Sequence, residues 1–347
     1  MRTDDFDFQL PQHLIAQTPL EDRSSSRLLV VDRKNHTYSD HHFRDITQFL
    51  RPDDIIVRNN TRVIPARLFG VKEARLNGTR EDGHVELLLL RDEGNNIWQC
   101  LAGNAKIIKE GTVITFGDGQ LHARCRELGE SGIRFMEMIY EGIFMEVLDK
   151  LGTVPLPPYI REKLADPERY QTVYSKVAGS AAAPTAGLHF TPELISEIEQ
   201  KGCRFVDVTL HIGLGTFRPV SVEDISQHVM HTEFYQMSAE AAKVLNAAKK
   251  EGRRIIGVGT TSVRTLESVM QKYGEFRECS GETNIFIYPG YQFKAIDAMI
   301  TNFHLPKSTL IMMISAFAGK DFIFEAYQHA IEEQYRFFSF GDSMFII

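Results

Sequence analysis

"RIIGVGTTSVRTLE", Arg254 to Glu267, is the stretch on which the fold turns. Ile255, Ile256 and Val258 are β-branched and apolar with no charge among them, as in a strand buried on both faces. Gly257 and Gly259 permit a sharp bend, and a helical pattern then runs from about Ser262 to Lys272. A buried strand that turns directly into a helix is the unit from which parallel sheets are assembled. The same turn gathers Thr260, Thr261 and Ser262 with the first N–H groups of the helix, the arrangement of an anion or nucleotide site without a Walker lysine. Arg264 is expected in the first turn of that helix, where a cation opposes the macrodipole, so a partner is expected for it.

Working outward, strands and helices continue to alternate. "TPELISEIEQKG" reads as a helix capped by Thr191, begun by Pro192 and ended by Gly202, and the strand-like "CRFVDVTLHI" follows. "SAEAAKVLNAAKKEG" has a Ser cap at one end and Gly252 at the other. Beyond Glu267 come the strand-like "NIFIY" and "AMITNF" and two apolar helices, and "SSSRLLVVDR" and "DIIVRNNTRVIP" add strands from the N-terminal side. From about Val71 to Tyr140 the period changes: "HVELLLL", "NIWQCLA", "GTVITF", "QLHARC" and "GIRFMEMIY" are short strands punctuated by glycine turns. Closing such a sheet into a barrel removes its edges. Pro155, Pro157 and Pro158 then fix an extended connector. The expectation is a layered mixed-sheet α/β domain, residues 1–65 and 155–347, carrying an inserted small antiparallel β-barrel domain, residues 66–154.

A chain of 347 residues suggests two domains, and 43% hydrophobic with 24% charged residues is ordinary for a folded soluble protein. No apolar run reaches the ~20 residues that span a bilayer, and "MRTDDFDFQLPQHL" lacks a signal peptide's apolar segment, so a cytoplasmic location and no membrane partner are expected. Cys100, Cys125, Cys203 and Cys279 lie far apart, which indicates neither a disulfide framework nor a zinc knuckle. The net charge of -7 argues against indiscriminate coating of nucleic acid. Against that average, Arg58, Arg62, Arg67, Lys72, Arg75 and Arg80 face the single acid Glu73. Such a cluster is either a solvated surface or a phosphate-holding one.

Several segments carry polar groups that folding alone does not demand. "AAAPTAGLHF", Ala181 to Phe190, is an apolar loop that Pro184 and Gly187 keep from being a helix, and it either packs under other elements or lines a ligand site. "HIGLGTFRPV" follows a strand, and Gly213 and Gly215 allow close approach of backbone to ligand. Taken singly, His189, His211, His231 and His304 are each more often structural than catalytic. His231 and Glu233 share one side of an extended "HTEFY", a spacing that suits a metal, an acid-base pair or plain hydrogen bonding. "ITNFHLPKSTL" sets Asn302 and His304 before a helix start, and "YRFFSFGDSM" gathers aromatics that stack a base or seal the core.

Taken in order, "RNNTRVIPARL", "AAAPTAGLHF", "HIGLGTFRPV", "HTEFY", "VGTTSVRTLE", "ITNFHLPKSTL" and "YRFFSFGD" resemble the S-adenosylmethionine:tRNA ribosyltransferase-isomerase family of bacterial queuosine biosynthesis. "LPQHLIAQTPLEDRSSSRLLVVDR" and "PLPPYI" extend the resemblance over nearly the whole chain. It implies an enzyme that moves the ribosyl part of S-adenosylmethionine onto the aminomethyl group of a 7-deazaguanine at the tRNA wobble position. The ribose is rearranged to an epoxycyclopentanediol, and adenine and methionine leave. The family's fold, an α/β domain with an inserted antiparallel barrel, agrees with the pattern above.

On this reading S-adenosylmethionine is consumed as a substrate, and neither a cofactor nor a metal is called for. A pocket for it is expected from Thr185, Gly187, Leu188, Phe190, Gly213, Gly215, Thr216, Arg218, His231, Glu233, Thr260, Thr261, Arg264 and Asn302. The base that removes a proton from the ribose carbon beside sulfur is sought among His211, His189 and His304. His211 is preferred, because it closes a strand beside two glycines. Arg58, Arg62 and Arg67 are the expected tRNA contacts, and nothing suggests an assembly interface, so a monomer is expected. Two rival classes are a metal-dependent hydrolase built on His231, Glu233 and another histidine, and a non-catalytic RNA-binding module using the basic cluster.

Overall fold

The computed structural model describes residues 1–72, 83–162, 164–213 and 220–347. In chain order the strands begin with β1 (Arg27–Asp32), β2 (Thr37–His42), β3 (Ile55–Asn59) and β4 (Thr61–Val63). Next come β5 (Arg67–Lys72), β6 (His84–Gly94), β7 (Ile97–Gly103), β8 (Val113–Phe116), β9 (Leu121–Leu128), β10 (Ile133–Tyr140) and helix α1 (Phe144–Leu151). After β11 (Val177–Ser180) follow α2 (Pro192–Gln200), β12 (Arg204–Leu210), β13 (Glu233–Met237), α3 (Ala239–Glu251) and β14 (Ile255–Val258). The chain ends with α4 (Gly259–Tyr273), β15 (Cys279–Thr283), β16 (Ala298–Asn302), α5 (Thr309–Ala318), α6 (Lys320–Glu332) and β17 (Ser343–Ile346). It divides into two compact units: Met1–Arg62 with Pro157–Val177 and Ala183–Ile347, and Val63–Leu156 with Ala178–Ala182.

The larger unit is built on a mixed sheet of order β15-β13-β12-β3-β14-β16-β17-β1-β2. β12, β3, β14 and β16 run parallel, so their carboxyl ends lie along one edge of the sheet. Every residue of β14, β16 and β17 is buried, which explains why their sequences are short apolar runs without alternation. On one face Leu28, Val30, Ile56, Ile256, Ala298, Ile300 and Phe345 pack with Phe43, Phe190, Leu194 and Ile198. α4 packs on β12, β3, β14 and β16. The capping signals act as read: Thr191 accepts from Leu194 N at 3.2 Å and Ser238 from Ala241 N at 3.2 Å, while Gly252 closes α3 at φ 68°.

The smaller unit contains the closed antiparallel barrel, in the order β10-β7-β6-β5-β8-β9. Val85, Leu87, Leu89, Ile114, Phe116, Met136 and Met138 are buried. Gly70 has no room for a side chain, since a Cβ there would sit 2.5 Å from the Phe116 ring. Arg134 is buried in this unit, donating to the carbonyls of Ala105, Ile108 and Ile133 at 2.6, 3.1 and 2.6 Å.

Three local expectations are corrected, and one strand was not anticipated. "NIFIY" is not a strand; Ile285 N donates to Thr283 Oγ1 at 3.1 Å, a local turn that ends the pairing, and the strand β15 precedes it. Helix α4 begins at Gly259 rather than near Ser262, so Arg264 lies in its second turn. Within residues 66–154 the chain forms α1 as well as strands. The C-terminal "SMFI" is a strand inside the sheet, antiparallel to β16 and parallel to β1. No helix among the described residues is long and apolar enough to cross a membrane.

Candidate active site

A cleft opens at the carboxyl ends of β12, β14 and β16, where open α/β sheets hold their ligands. One side is the first turn of α4, where Gly259, Thr260 and Thr261 bring hydroxyls and uncapped helix N–H groups to the cavity. A second side is the Ala183–Ala186 part of "AAAPTAGLHF". A third is aromatic: Tyr159 and Phe338, with ring centroids 5.0 Å apart, and Ser339, whose hydroxyl lies 2.6 Å from Tyr159 Oη. Thr301, Asn302 and His304 line it from the end of β16.

Asn59, fully buried at the end of β3, fixes the geometry of this region. Its Oδ1 accepts from Thr61 N at 3.1 Å and Leu210 N at 3.0 Å, while Nδ2 donates to Leu210 O at 2.9 Å and Thr261 Oγ1 at 3.2 Å. One side chain thus locks β3, β12 and the start of α4. Because Thr261 Oγ1 accepts this bond, its own O–H is left to donate.

The three histidines differ in what their nitrogens do. His189 is buried, with Nε2 3.1 Å from Asn302 Oδ1 and Nδ1 2.7 Å from Ser26 Oγ, so donor and acceptor are both engaged. Burial, with help from Arg23 and Arg336, outweighs the Asn302 bond and lowers its pKa to about 4. His304 lines the cleft, its Nε2 lies 2.7 Å from Thr301 Oγ1, and burial lowers its pKa to about 3. His211, half-buried, places Nδ1 2.8 Å from Thr61 Oγ1 and stacks on Phe234 at 5.8 Å. Its Nε2 has no hydrogen-bond partner among the described residues, and burial lowers its pKa. His211 is not among the described residues that line the cleft; its neighbour Ile212 is.

The partner of Arg264 is Glu233. The two form a buried ion pair in which Glu233 Oε2 accepts from Arg264 Nη1. Glu233 Oε1 accepts from Gly213 N at 2.9 Å and lies 3.2 Å from His231 Nε2. Burial alone would raise the Glu233 pKa, but Arg264, His231 and the Gly213 N–H together lower it to about 2. Of the uses open to His231 and Glu233, the geometry shows hydrogen bonding in an ion-pair network. Among the described residues no three His, Cys, Asp or Glu side chains converge as a metal-holding group.

Two comparisons with known proteins bear on this arrangement. The family model described as "Queuosine biosynthesis protein" matches residues 3–346. The chain belongs to that family. Its structure is also similar to that of an S-adenosylmethionine tRNA ribosyltransferase from Thermotoga maritima, at 37% identity and a TM-score of 0.57, covering 99% of this chain and 100% of the other.

Within this member of the family, the residues expected at the site divide. Thr185, Thr260, Thr261, Asn302 and His304 line the cleft. Gly187 and Phe190 are packed inside: a Cβ on Gly187 would lie 2.0 Å from Tyr174 Oη, and Phe190 meets Phe43 edge to face at 4.9 Å. Leu188 borders a second, smaller cavity together with His189. Gly213 backs the Glu233 carboxylate, and Gly215, Thr216 and Arg218 lie outside the described residues.

The basic cluster is largely neutralised within each unit. Arg58 donates through Nε to Asp207 at 2.7 Å and lies over the rings of Tyr174 and Phe205. Arg62 pairs with Glu168, and Arg67 lies 3.1 Å from Glu86. Lys72 donates to Ile107 O at 2.9 Å, and Arg75 and Arg80 fall outside the described residues.

Sequence reading passed over Asn59, Tyr159, Thr301 and Ser339, and left Phe338 among aromatics that either stack a base or seal the core. Phe338 had the clearest structural mark, a φ of 72° that turns its carbonyl to accept from Asn302 Nδ2 at 2.9 Å, but backbone strain of this kind is invisible in sequence. Asn59 stood in a quoted motif, "RNNTRVIPARL", and an apolar strand ending in two asparagines was the available signal.

Proposed function

We propose that this protein transfers and isomerises the ribosyl group of S-adenosylmethionine onto the 7-aminomethyl-7-deazaguanine at the wobble position of tRNA, releasing adenine and methionine and leaving epoxyqueuosine in the tRNA. Membership of the queuosine biosynthesis family and likeness to a tRNA ribosyltransferase support the reaction class. The observation that carries the reading is the cleft itself: apolar on the loop side, aromatic on another, and edged by the start of α4.

Tyr159 and Phe338 offer flat faces for adenine. The positive sulfonium acidifies the adjoining ribose carbon, and His211, next to the cleft-lining Ile212, takes that proton through Nε2, which has no hydrogen-bond partner among the described residues, while burial disfavours the charged imidazole. Thr260 and Thr261, at the positive end of α4, donate to the ribose oxygen as the ring opens and adenine departs. Arg264, paired with Glu233, anchors the second turn of α4 to β13 and so holds the start of that helix in place. The substrate carries its own activated carbon, so the scheme uses no cofactor or metal. The protein acts as a cytoplasmic monomer that binds tRNA. Purified protein mixed with S-adenosylmethionine and tRNA bearing the aminomethyl base should release adenine, and omission of either partner should abolish release. Adenine release independent of the tRNA would contradict the proposal.

A further inference from the structure

Arg23 and Arg169 line a second, smaller cavity together with Pro19, His189, Ser339 and Gly341. Among the described residues, neither guanidinium has a carboxylate within ion-pair distance. Both are pinned by main-chain carbonyls: Arg23 donates to Leu188 O at 3.2 Å and Glu168 O at 3.1 Å, and Arg169 to Glu21 O at 3.0 Å and to Leu20 O. Arg336 reaches the same loop and donates to Thr18 O. Carbonyls fix a guanidinium in place without cancelling its charge, in contrast to the carboxylates on Arg58, Arg62 and Arg67.

Arg23 and Arg169 lie within reach of each other's fields, and Arg23 and Arg336 both act on His189, which borders the cavity. Arg23 is lowered in pKa by burial and then by Arg169, with Asp166 and Glu168 only partly compensating; burial also lowers Arg336, which Asp342 partly offsets. Arg169 Nε and Arg336 Nη1 are buried N–H donors with no acceptor among the described residues. Like charges held together with donors unspent are what an anion-binding site needs before its anion arrives.

We propose that Arg23, Arg169 and Arg336 form a phosphodiester-binding site for the RNA substrate, beside the cleft. Ser339 lines both cavities, and His189, which borders this one, lies 3.1 Å from Asn302, which borders the other. A phosphate held here is therefore close to a base held at the cleft. Several guanidiniums suit a phosphodiester within a polyanion better than a single substrate carboxylate, which one bidentate arginine satisfies. The inference rests on tRNA being the substrate.

Binding, measured without turnover, tests it. In the wild-type protein, an anticodon stem-loop with methylphosphonate linkages introduced one at a time beside the wobble nucleotide should lose about tenfold in affinity at one linkage. The Arg169→Gln variant should weaken the all-phosphate stem-loop similarly, lower the log-log salt slope by about one, and be indifferent to neutralisation of that linkage. Thermal melting screens the variant for folding, and the methylphosphonate series needs no variant. Full affinity for every neutralised RNA overturns the inference. So does an Arg169→Gln effect confined to the Kd of S-adenosylmethionine, which would assign these arginines to the amino-acid carboxylate. Neither outcome depends on whether adenine is released, so failure here is distinct from failure of the proposed reaction.

Discussion

His211 is the residue on which the proposed chemistry leans, and its neighbours explain why a conservative change is informative. Gln retains much of the volume and a hydrogen bond to Thr61 Oγ1 while removing the basic nitrogen. His211→Gln should lower kcat by about 10²- to 10⁴-fold with little change in S-adenosylmethionine affinity. Turnover at the parental rate would make His211 structural and move the search to His304, which faces the cleft. The buried histidines carry a separate, pH-linked prediction. His189 and His304 titrate near 6.5 when unfolded but are lowered to about 4 and about 3 when folded. Below pH 6.5 the unfolded chain therefore binds protons that the folded chain refuses. Stability should fall as pH drops from about 6.5 toward 4, by up to about 1.4 kcal/mol per pH unit for each histidine. Glu233, at about 2 when folded against 4.5, adds a loss of the same sign below pH 4.5. Urea midpoints at pH 7, 6 and 5 read this directly, and His304→Gln should flatten the dependence. Equal midpoints across that range would contradict the burial argument. Sequence ranked His211 first on its strand end and glycines alone and could not see the states of these histidines, because Ser26, Thr61 and Asn302, which decide them, are 163, 150 and 113 residues away.

Elements were legible where their signals are local. Thr191 with Pro192, Ser238 with Gly252, and the alternation in β6 to β10 depend on residues within a few positions, so helices and barrel strands could be read directly. β17 could not, since four buried residues carry no period and its partners β1 and β16 are distant in sequence. "NIFIY" misled because its apolar content serves packing rather than pairing, and Ile287 is 1% exposed without belonging to a strand. The loop "AAAPTAGLHF" shows both cases. Its apolar character announced a packed or site-lining segment, and it is both, but the reason for Gly187 is Tyr174 Oη, 13 residues upstream. Gly187→Ala would place a Cβ 2.0 Å from that oxygen and 2.8 Å from Thr172 Cγ2. It should cost about 1–3 kcal/mol by overpacking, read as a lowered melting temperature. An unchanged melt would show that the loop relaxes freely.

For the molecule as a whole, the mixed-sheet α/β architecture and closed barrel were readable because the hydrophobic period switches from strand-helix alternation to strand-turn alternation and back. The charge distribution was not. A net charge of -7 and a basic run in sequence pointed to Arg58, Arg62 and Arg67, yet folding gives each of these a carboxylate, while Arg23, Arg169 and Arg336, scattered in sequence, keep their charge beside main-chain oxygens. The central claim is transfer of a five-carbon unit from S-adenosylmethionine to the wobble base. Mass spectrometry of that nucleoside, after incubating the protein with tRNA bearing the aminomethyl base and S-adenosylmethionine labelled with carbon-13 throughout its ribose, tests it most directly. The account predicts a heavier nucleoside that carries all five labelled carbons, with adenine and methionine released unlabelled. A wobble nucleoside unchanged in mass, or one that gains a methyl group and no labelled carbon, would contradict it.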